Sequence, residues 1–327
     1  MNKKKILYSL LLVTIVVVAL SILSSSSFAE RNNANQELMQ EFFPQRIYSI
    51  SIPLEYEFAG EIIDLRRHDL RERFDRELMA FTYMHSTTLL LIKRANLYFP
   101  LIEPVLKANN VPIDFRYLAV IESHLNPRAV SPANAVGIWQ FLADTARELG
   151  LEVTDQVDER LHLEKSTAAA ARFLRRSYEI YGDWMTAAAS YNAGRRRISE
   201  ALRAQGQDNI FDIFVNDETS RYVFRLLAVK EVMSNPAKYG FHLQKEDFYH
   251  TVRTREVEVS GSIENWAEWA RGHGISYVQL RYFNPWIRRG MRLDNRARKT
   301  YRVQIPYLED LYFDPEKIII HNPAWVN

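Results

Sequence analysis

The 327-residue chain contains no cysteine, which excludes a disulfide framework, thiolate metal ligation and a lipid anchor built on an acylated cysteine. Glycine and proline are scarce, at 11 and 12 residues, while Leu, Ala, Arg and Glu fill long stretches. A mainly α chain is therefore expected. Neither a Gly-rich phosphate loop nor a His-Glu-x-x-His pair occurs, so no cofactor and no metal are expected. Low-complexity sequence is limited to Ser24 to Ser27, and no long internal repeat is visible. What remains is 47% hydrophobic and 25% charged, enough for one large domain or two smaller ones with a real core.

The one long apolar run, Ile6 to Leu23, follows Lys3, Lys4 and Lys5 and precedes Ser27-Phe28-Ala29. Residues 1–29 read as a signal peptide, or as a membrane anchor if the segment stays uncleaved, since about eighteen apolar residues lie near the lower limit for spanning a bilayer. The protein is thus expected to be exported, in the periplasm or cell envelope, with membrane contact only in the anchored form. Without the three lysines, 39 Lys and Arg stand against 40 Asp and Glu. The positive surplus is local: residues 250–305 hold eleven Arg/Lys and five Asp/Glu. That stretch reads as a face for an anionic polymer or as a solvated basic surface; for an exported chain nucleic acid is not the expected partner.

Residues 30–59 lack periodicity, carry Pro44 and Pro53, and read as a linker. From Gly60 the pattern is helical, with Leu70, Phe74, Leu78 and Phe81 predicting an amphipathic helix within Asp64 to His85. Ser86 and Thr87 are candidate caps for a helix running toward Phe99. These helices, residues 60–111, are expected to pack on a second part, 112–248. There the spacing predicts a short helix after Pro112 that ends near Ser123, a helix from Trp139 to Leu149 closed by Gly150, and one from Thr167 to Tyr181. A further helix from Trp184 to Ala193 is capped by Asp183, and another spans Thr219 to Met233. Residues 249–308 read as strand, helix, helix, strand, and 309–327 as a tail.

Glu122 falls on the apolar stripe of the short helix, where desolvation raises a carboxyl pKa toward the range of a general acid. Alone it reads more readily as a glutamate frayed into water at a helix end. Gly137-Ile138-Trp139-Gln140-Phe141 combines a turn glycine with an aromatic and an amide, which can line a sugar site or simply form a core turn. Tyr191-Asn192-Ala193-Gly194 puts a phenol and an amide at a helix C-terminus, with Gly194 explained by capping.

Taken in order, Leu118-Ala119-Val120-Ile121-Glu122-Ser123, then Gly137 to Phe141, then Ala189-Ser190-Tyr191-Asn192-Ala193-Gly194 resemble the three signature motifs of the lytic transglycosylase catalytic domain of the goose-lysozyme-like superfamily. Asn126-Pro127-Arg128-Ala129-Val130-Ser131 and Glu218-Thr219-Ser220-Arg221-Tyr222-Val223 are similar to the membrane-bound murein transglycosylase D subfamily, and the resemblance runs from about Leu65 to Phe241. It implies a lysozyme-like helical fold and cleavage of peptidoglycan between N-acetylmuramic acid and N-acetylglucosamine. Glu122 would be the single general acid and base, closing a 1,6-anhydro ring without a second carboxylate. Ser123, Gly137, Gln140, Phe141, Tyr191, Asn192 and Tyr222 would form the substrate site, with Tyr191 orienting Glu122. One departure stands out: Arg195-Arg196-Arg197 follows Gly194, where the family often carries another glycine.

The carboxy-terminal segment resembles a divergent LysM-like module through Gly261-Ser262-Ile263, Trp269-Ala270, Gly274-Ile275-Ser276, Leu280, Phe283-Asn284-Pro285 and Ile305-Pro306. Glycan strands, and other cell-wall enzymes, are the partners this implies. Two alternatives stay open: a hydrolytic goose-type lysozyme, for which Asp144, Asp155 or Asp158 would supply the second carboxylate unless they are helix caps, and a non-catalytic wall-binding scaffold.

Overall fold

A computed structural model describes residues 48–288 and 290–326. The signal or anchor segment lies outside the described residues. Among the described residues no helix is long and apolar enough to cross a membrane.

The described residues begin inside the stretch read as a linker. β1 (Glu55–Phe58) and β2 (Glu61–Asp64) pair antiparallel around Ala59 and Gly60, both at positive φ (56° and 84°). Two left-handed residues between paired strands make the tight turn whose twist matches a hairpin, so Gly60 closes a hairpin instead of opening a helix. Helix α1 (His68–Tyr83) follows and buries Leu70, Phe74, Leu78 and Phe81, the four residues that the spacing singled out. Helix α2 (His85–Ala108) is longer than expected, continuing through Pro100 and Pro104. Its N-cap is Met84, so Ser86 and Thr87 lie inside the first turn and do not cap it.

After a 3₁₀ turn at Ile113–Phe115 come α3 (Arg116–Ser123), α4 (Ala143–Glu148) and α5 (Leu163–Tyr181). Then follow α6 (Trp184–Ala193), α7 (Arg195–Gln205) and α8 (Asp217–Ser234). The expected helix from Trp139 is shortened because Gln140 has φ +51°, a conformation no α-helix can contain, and the helix begins only at Ala143. Asp183 caps α6 as expected, accepting from the amides of Met185 (3.2 Å) and Thr186 (2.8 Å). The arginine run opens α7, which sequence reading missed; the helix buries Ile198 and leaves its other faces to solvent. α8 is the central element, packing on α1, α3 and α6.

The carboxy-terminal module has the expected order: β3 (Thr254–Val259), α9 (Trp266–Gly272), α10 (Tyr277–Phe283) and β4 (Tyr301–Pro306), with β3 and β4 antiparallel. Its core of Trp266, Leu280, Trp286, Val303 and Ile305 also takes in Val157 from the helical part. Backbone bonds join the two: the Asp158 amide donates to the Trp286 carbonyl and the Arg288 amide to the Gln156 carbonyl, each at 2.9 Å. The fold is thus mainly helical with a small α+β module.

Residues after β4 return to the helical part. Trp325 is 1% exposed, lies against Phe99 and Phe248, and donates its indole N–H to the Met233 carbonyl at 2.6 Å. His321 meets the Glu103 carboxylate at 2.8 Å, and the Asn96 amide donates to the Ile319 carbonyl at 2.9 Å. The segment read as a tail therefore supplies core. Trp325→Ala should lower unfolding stability by about 3–5 kcal/mol, the usual cost of deleting a buried aromatic; urea titration followed by circular dichroism checks this, and an unchanged midpoint would show that the segment is a mere appendage.

Candidate active site

Helix α3 is only eight residues long, yet Tyr117, Leu118, Ala119, Val120 and Ile121 are all buried. It stops because His124 and Leu125 both adopt φ +53°, which turns the chain out of the helix immediately after Glu122 and Ser123. Glu122 therefore sits at the buried end of a buried helix. It is only partly exposed, and the surrounding protein desolvates the carboxyl, pushing its pKa up to about 7. The hydrogen bond from Tyr222 and the nearby Arg225 cation act the other way, and the Glu218 carboxylate adds to the rise. The Tyr222 hydroxyl donates to Glu122 Oε1 at 2.5 Å. Glu218, Tyr222 and Arg225 recur at four and three residues, so one face of α8 carries all three groups that tune Glu122.

Protonation of Glu122 is linked to folding. Its folded pKa of about 7 lies above the ordinary 4.5, so the unfolded chain ionises first, and stability falls as pH rises from about 4.5 through 7. The site is held at the expense of stability at neutral pH.

Tyr191, expected to orient Glu122, does not bond it. Its hydroxyl donates to the Trp139 carbonyl at 2.8 Å, and its ring lies against Phe141 (5.8 Å) and edge-on to Phe173 (5.2 Å). Burial, with the Glu122 charge adding to it, keeps the phenol well above its usual pKa and so neutral. Asn192 Oδ1 accepts from the Thr219 hydroxyl at 2.9 Å, tying the end of α6 to the first turn of α8. The Ser123 hydroxyl lies 2.9 Å from the Ile138 carbonyl and ties α3 to the next turn.

That turn is fixed by contact. Gly137 has φ +87°, and a Cβ there would lie 2.1 Å from the Arg160 carbonyl, so no other residue fits without moving the backbone. The Arg160 guanidinium binds the buried Asp158 carboxylate and donates to the carbonyls of Phe141 (3.0 Å) and Asn134 (3.2 Å). Gln140 points its amide back, donating to the Gly137 carbonyl at 2.8 Å. Phe141 is 4% exposed and packs on Tyr191. Trp139 is fully buried, with its N–H on the Thr167 hydroxyl at 2.9 Å.

The residues singled out in the sequence thus converge through three links: Glu122 with Tyr222, Ser123 with the Gly137 to Phe141 turn, and that turn with Tyr191. Sequence reading missed Arg225, Glu218 and Arg160. The first two had a signal in their helical spacing from Tyr222; Arg160 had none. Asp158 is a cap, accepting from the Arg160 amide at 3.3 Å, and Asp144 is exposed and paired with Arg147. Among the described residues no group of three His, Asp or Glu side chains is placed to hold a metal ion. Two surface cavities of about 280 and 270 Å³, one by Arg73 and Phe214 and one by His162 and Trp286, include none of these site residues.

Known proteins resemble parts of this chain. Residues 101–214 match the Transglycosylase SLT domain, and residues 255–309 match the Soluble lytic transglycosylase C-terminal LysM-like domain. The chain carries these two domains in that order. It is homologous to the membrane-bound lytic murein transglycosylase D of Escherichia coli (strain K12), 33% identical over 224 residues that cover 67% of this chain and 48% of the relative. The chain so spans about half the length of that relative. It is also 30% identical over 152 residues to the membrane-bound lytic murein transglycosylase F of Vibrio cholerae, covering 42% of this chain and 27% of that protein. Among solved structures, an inactive mutant of lytic transglycosylase Slt from Pseudomonas aeruginosa aligns at a TM-score of 0.35 and 18% identity, over 43% of this chain and 24% of that one.

Because the Tyr222 bond lowers the Glu122 pKa, Tyr222→Phe should move the Glu122 titration above its midpoint of about 7. Carboxyl ¹³C chemical shifts followed across pH check this; a midpoint that stays put or falls would show that the bond does not act on the ionised carboxylate.

Proposed function

We propose that the chain is a peptidoglycan lytic transglycosylase of the cell envelope, with Glu122 as its single general acid and base. The observation that carries this reading is one carboxyl group held protonated near neutral pH by burial and gripped by a neutral tyrosine hydroxyl. Such a group can give a proton to a glycosidic oxygen and, once ionised, take one back. The family resemblance and both matched domains support a peptidoglycan substrate, read as a glycan strand of alternating N-acetylmuramic acid and N-acetylglucosamine.

In the first step Glu122 protonates the oxygen leaving the muramyl residue, while the substrate's own acetamido group stabilises the developing positive centre. The carboxylate so formed is stabilised by Tyr222 and Arg225. It then deprotonates the muramyl C6 hydroxyl, whose attack within the same residue closes the 1,6-anhydro ring. Attacker and centre already share one molecule, which lowers the entropic barrier and removes the need for a placed water. Asp158 is committed to Arg160, so this one of the downstream acids considered from sequence is not free to act as the second carboxylate of an ordinary glycosidase. Gln140, Tyr191 and Asn192 hold the glycan in this reading, and Ser123, Gly137 and Phe141 set the shape of its seat. Export by residues 1–29, cleaved or retained, and restraint by other cell-wall enzymes belong to the same proposal.

Digestion of purified sacculi should yield 1,6-anhydromuramyl ends by mass spectrometry, and Glu122→Gln should slow their release by at least ~10²-fold, the low end of general acid–base contributions. The rate should fall as pH rises through about 7, where the acid is lost. Reducing muramyl ends would assign the chain as a hydrolase instead, and undiminished activity in Glu122→Gln would remove the glutamate from the mechanism.

A further inference from the structure

About half of the described arginines of the helical part are ion-paired to a carboxylate, Arg67, Arg116, Arg147, Arg160, Arg175, Arg196 and Arg221 among them. Arg225, Arg94 and Arg128 have no such ion pair among the described residues. Two of them meet the chain close to Glu122 or the module beside it: Arg94 bonds the His124 carbonyl, and Arg128 bonds the Arg281 carbonyl. Arg225 is close enough to lower the pKa of both Glu122 and His124, and Arg94 acts on His124 in the same sense. Arg94 donates to the His124 carbonyl at 2.9 Å, two residues beyond Glu122. One turn along α2 from Arg94 is Tyr98, which senses both Arg94 and Arg128 as well as Tyr282. Arg128 donates to the Arg281 carbonyl at 2.7 Å, and its guanidinium lies 5.5 Å from the Tyr282 ring centre. That ring belongs to α10 of the carboxy-terminal module and is 63% exposed.

A guanidinium has five N–H donors in a planar fork that matches a carboxylate, and here Arg94 and Arg128 each spend a donor on one backbone carbonyl. The half-buried Arg94 keeps donors for an anion that the chain itself does not provide. We propose that Arg94, Arg128 and Tyr282 form a track beside the Glu122 site that binds carboxylate-bearing peptide substituents of the glycan strand. This rests on the transglycosylase reading and adds a substrate preference to it. The track is shared between the two domains, which gives the docked module a role in recognition that its own surface alone does not supply. Arg128 lies over the Tyr282 ring, Phe283 meets that ring at a steep angle, and the exposed remainder of the ring is what the peptide would meet.

The test compares soluble glycan strands carrying their peptide stems with the same strands stripped of stems by an amidase. Stripping frees the lactyl carboxylate next to the sugar but removes those further out. The wild-type chain should favour stem-bearing strands in kcat/KM. Arg94→Gln and Arg128→Gln should each lower that preference ratio about tenfold or more, the worth of a hydrogen bond to a charged group, through KM and not kcat. Tyr282→Ala, at an exposed position where folding is not at stake, should lower it in the same direction. Tyr312→Ala, a 78% exposed tail residue, should leave the ratio as it is. Equal losses on both substrates, or no loss, would overturn the track. Equilibrium binding of the same two strands to Glu122→Gln, with and without Arg128→Gln, gives a readout that needs no turnover. A stem preference in this binding, with no anhydro products from the wild-type chain, would sink the enzymatic reading and keep the track, whereas anhydro products from the wild-type chain without a stem preference would do the reverse.

Discussion

Desolvation of one carboxyl group is the constraint around which this structure is arranged. A glutamate at the end of an eight-residue helix would ordinarily reach water, and α3 prevents this by burying its five preceding residues between α2 and α8. Two successive left-handed residues then turn the chain away before the carboxyl can follow it outward. The energetic consequence is a fold that loses stability as pH approaches 7 from below, set against a proton that is available in the same range. Tyr222 and Arg225 temper that conflict from α8. Were they absent, the acid would hold its proton more tightly and give it up less readily.

The second constraint is the close approach of Gly137 to the Arg160 carbonyl. It places the turn bearing Gln140 and Phe141 against the segment at 152–162, and that segment is the one on which the LysM-like module docks. Arg160 bonds the turn, Asp158 bonds both Arg160 and the Trp286 carbonyl, and Val157 enters the module's core. A short run of backbone thus buttresses the site on one side and carries the module on the other. The aromatic cluster of Phe141, Tyr191 and Phe173 continues the same support toward α5.

Much of this was legible in the sequence because it rests on local rules. Asp183 and Gly182 mark helix ends by capping and by left-handed backbone, and the stripe of Leu70, Phe74, Leu78 and Phe81 marks a buried helix face. The strand and helix order of the module follows from alternation and spacing. The misreadings share a cause as well. Gly60 looked like the start of a helix, yet the hairpin depends on Ala59 taking positive φ, which an alanine does not announce. Gln140 is the same case, and it cost the first turn of a helix. Met84 caps α2 without any side-chain bond, so the nearby Ser86 and Thr87 were more persuasive than they deserved. Trp325 was read as tail because nothing local says that an indole 92 residues away will bond the Met233 carbonyl.

The tyrosines show where local reading of a site stops. Tyr191 lies in a signature motif and was expected to orient Glu122, while Tyr222 came from a weaker stretch. Geometry exchanges their parts: Tyr222 reaches the carboxyl, and Tyr191 holds the turn through the Trp139 carbonyl. Both are buried and both lose more by ionising than exposed phenols do, so either is chemically fit to donate a hydrogen bond. What decides between them is the crossing of α8 over α3, a tertiary fact. It also puts Glu218 and Arg225 beside the acid with opposite effects, so that one helix face sets the proton affinity of a residue about a hundred positions away in the chain. A change in how α8 seats on α1 and α6 would therefore be felt as a change in the acid's pKa before it was felt as a loss of any other contact of the site.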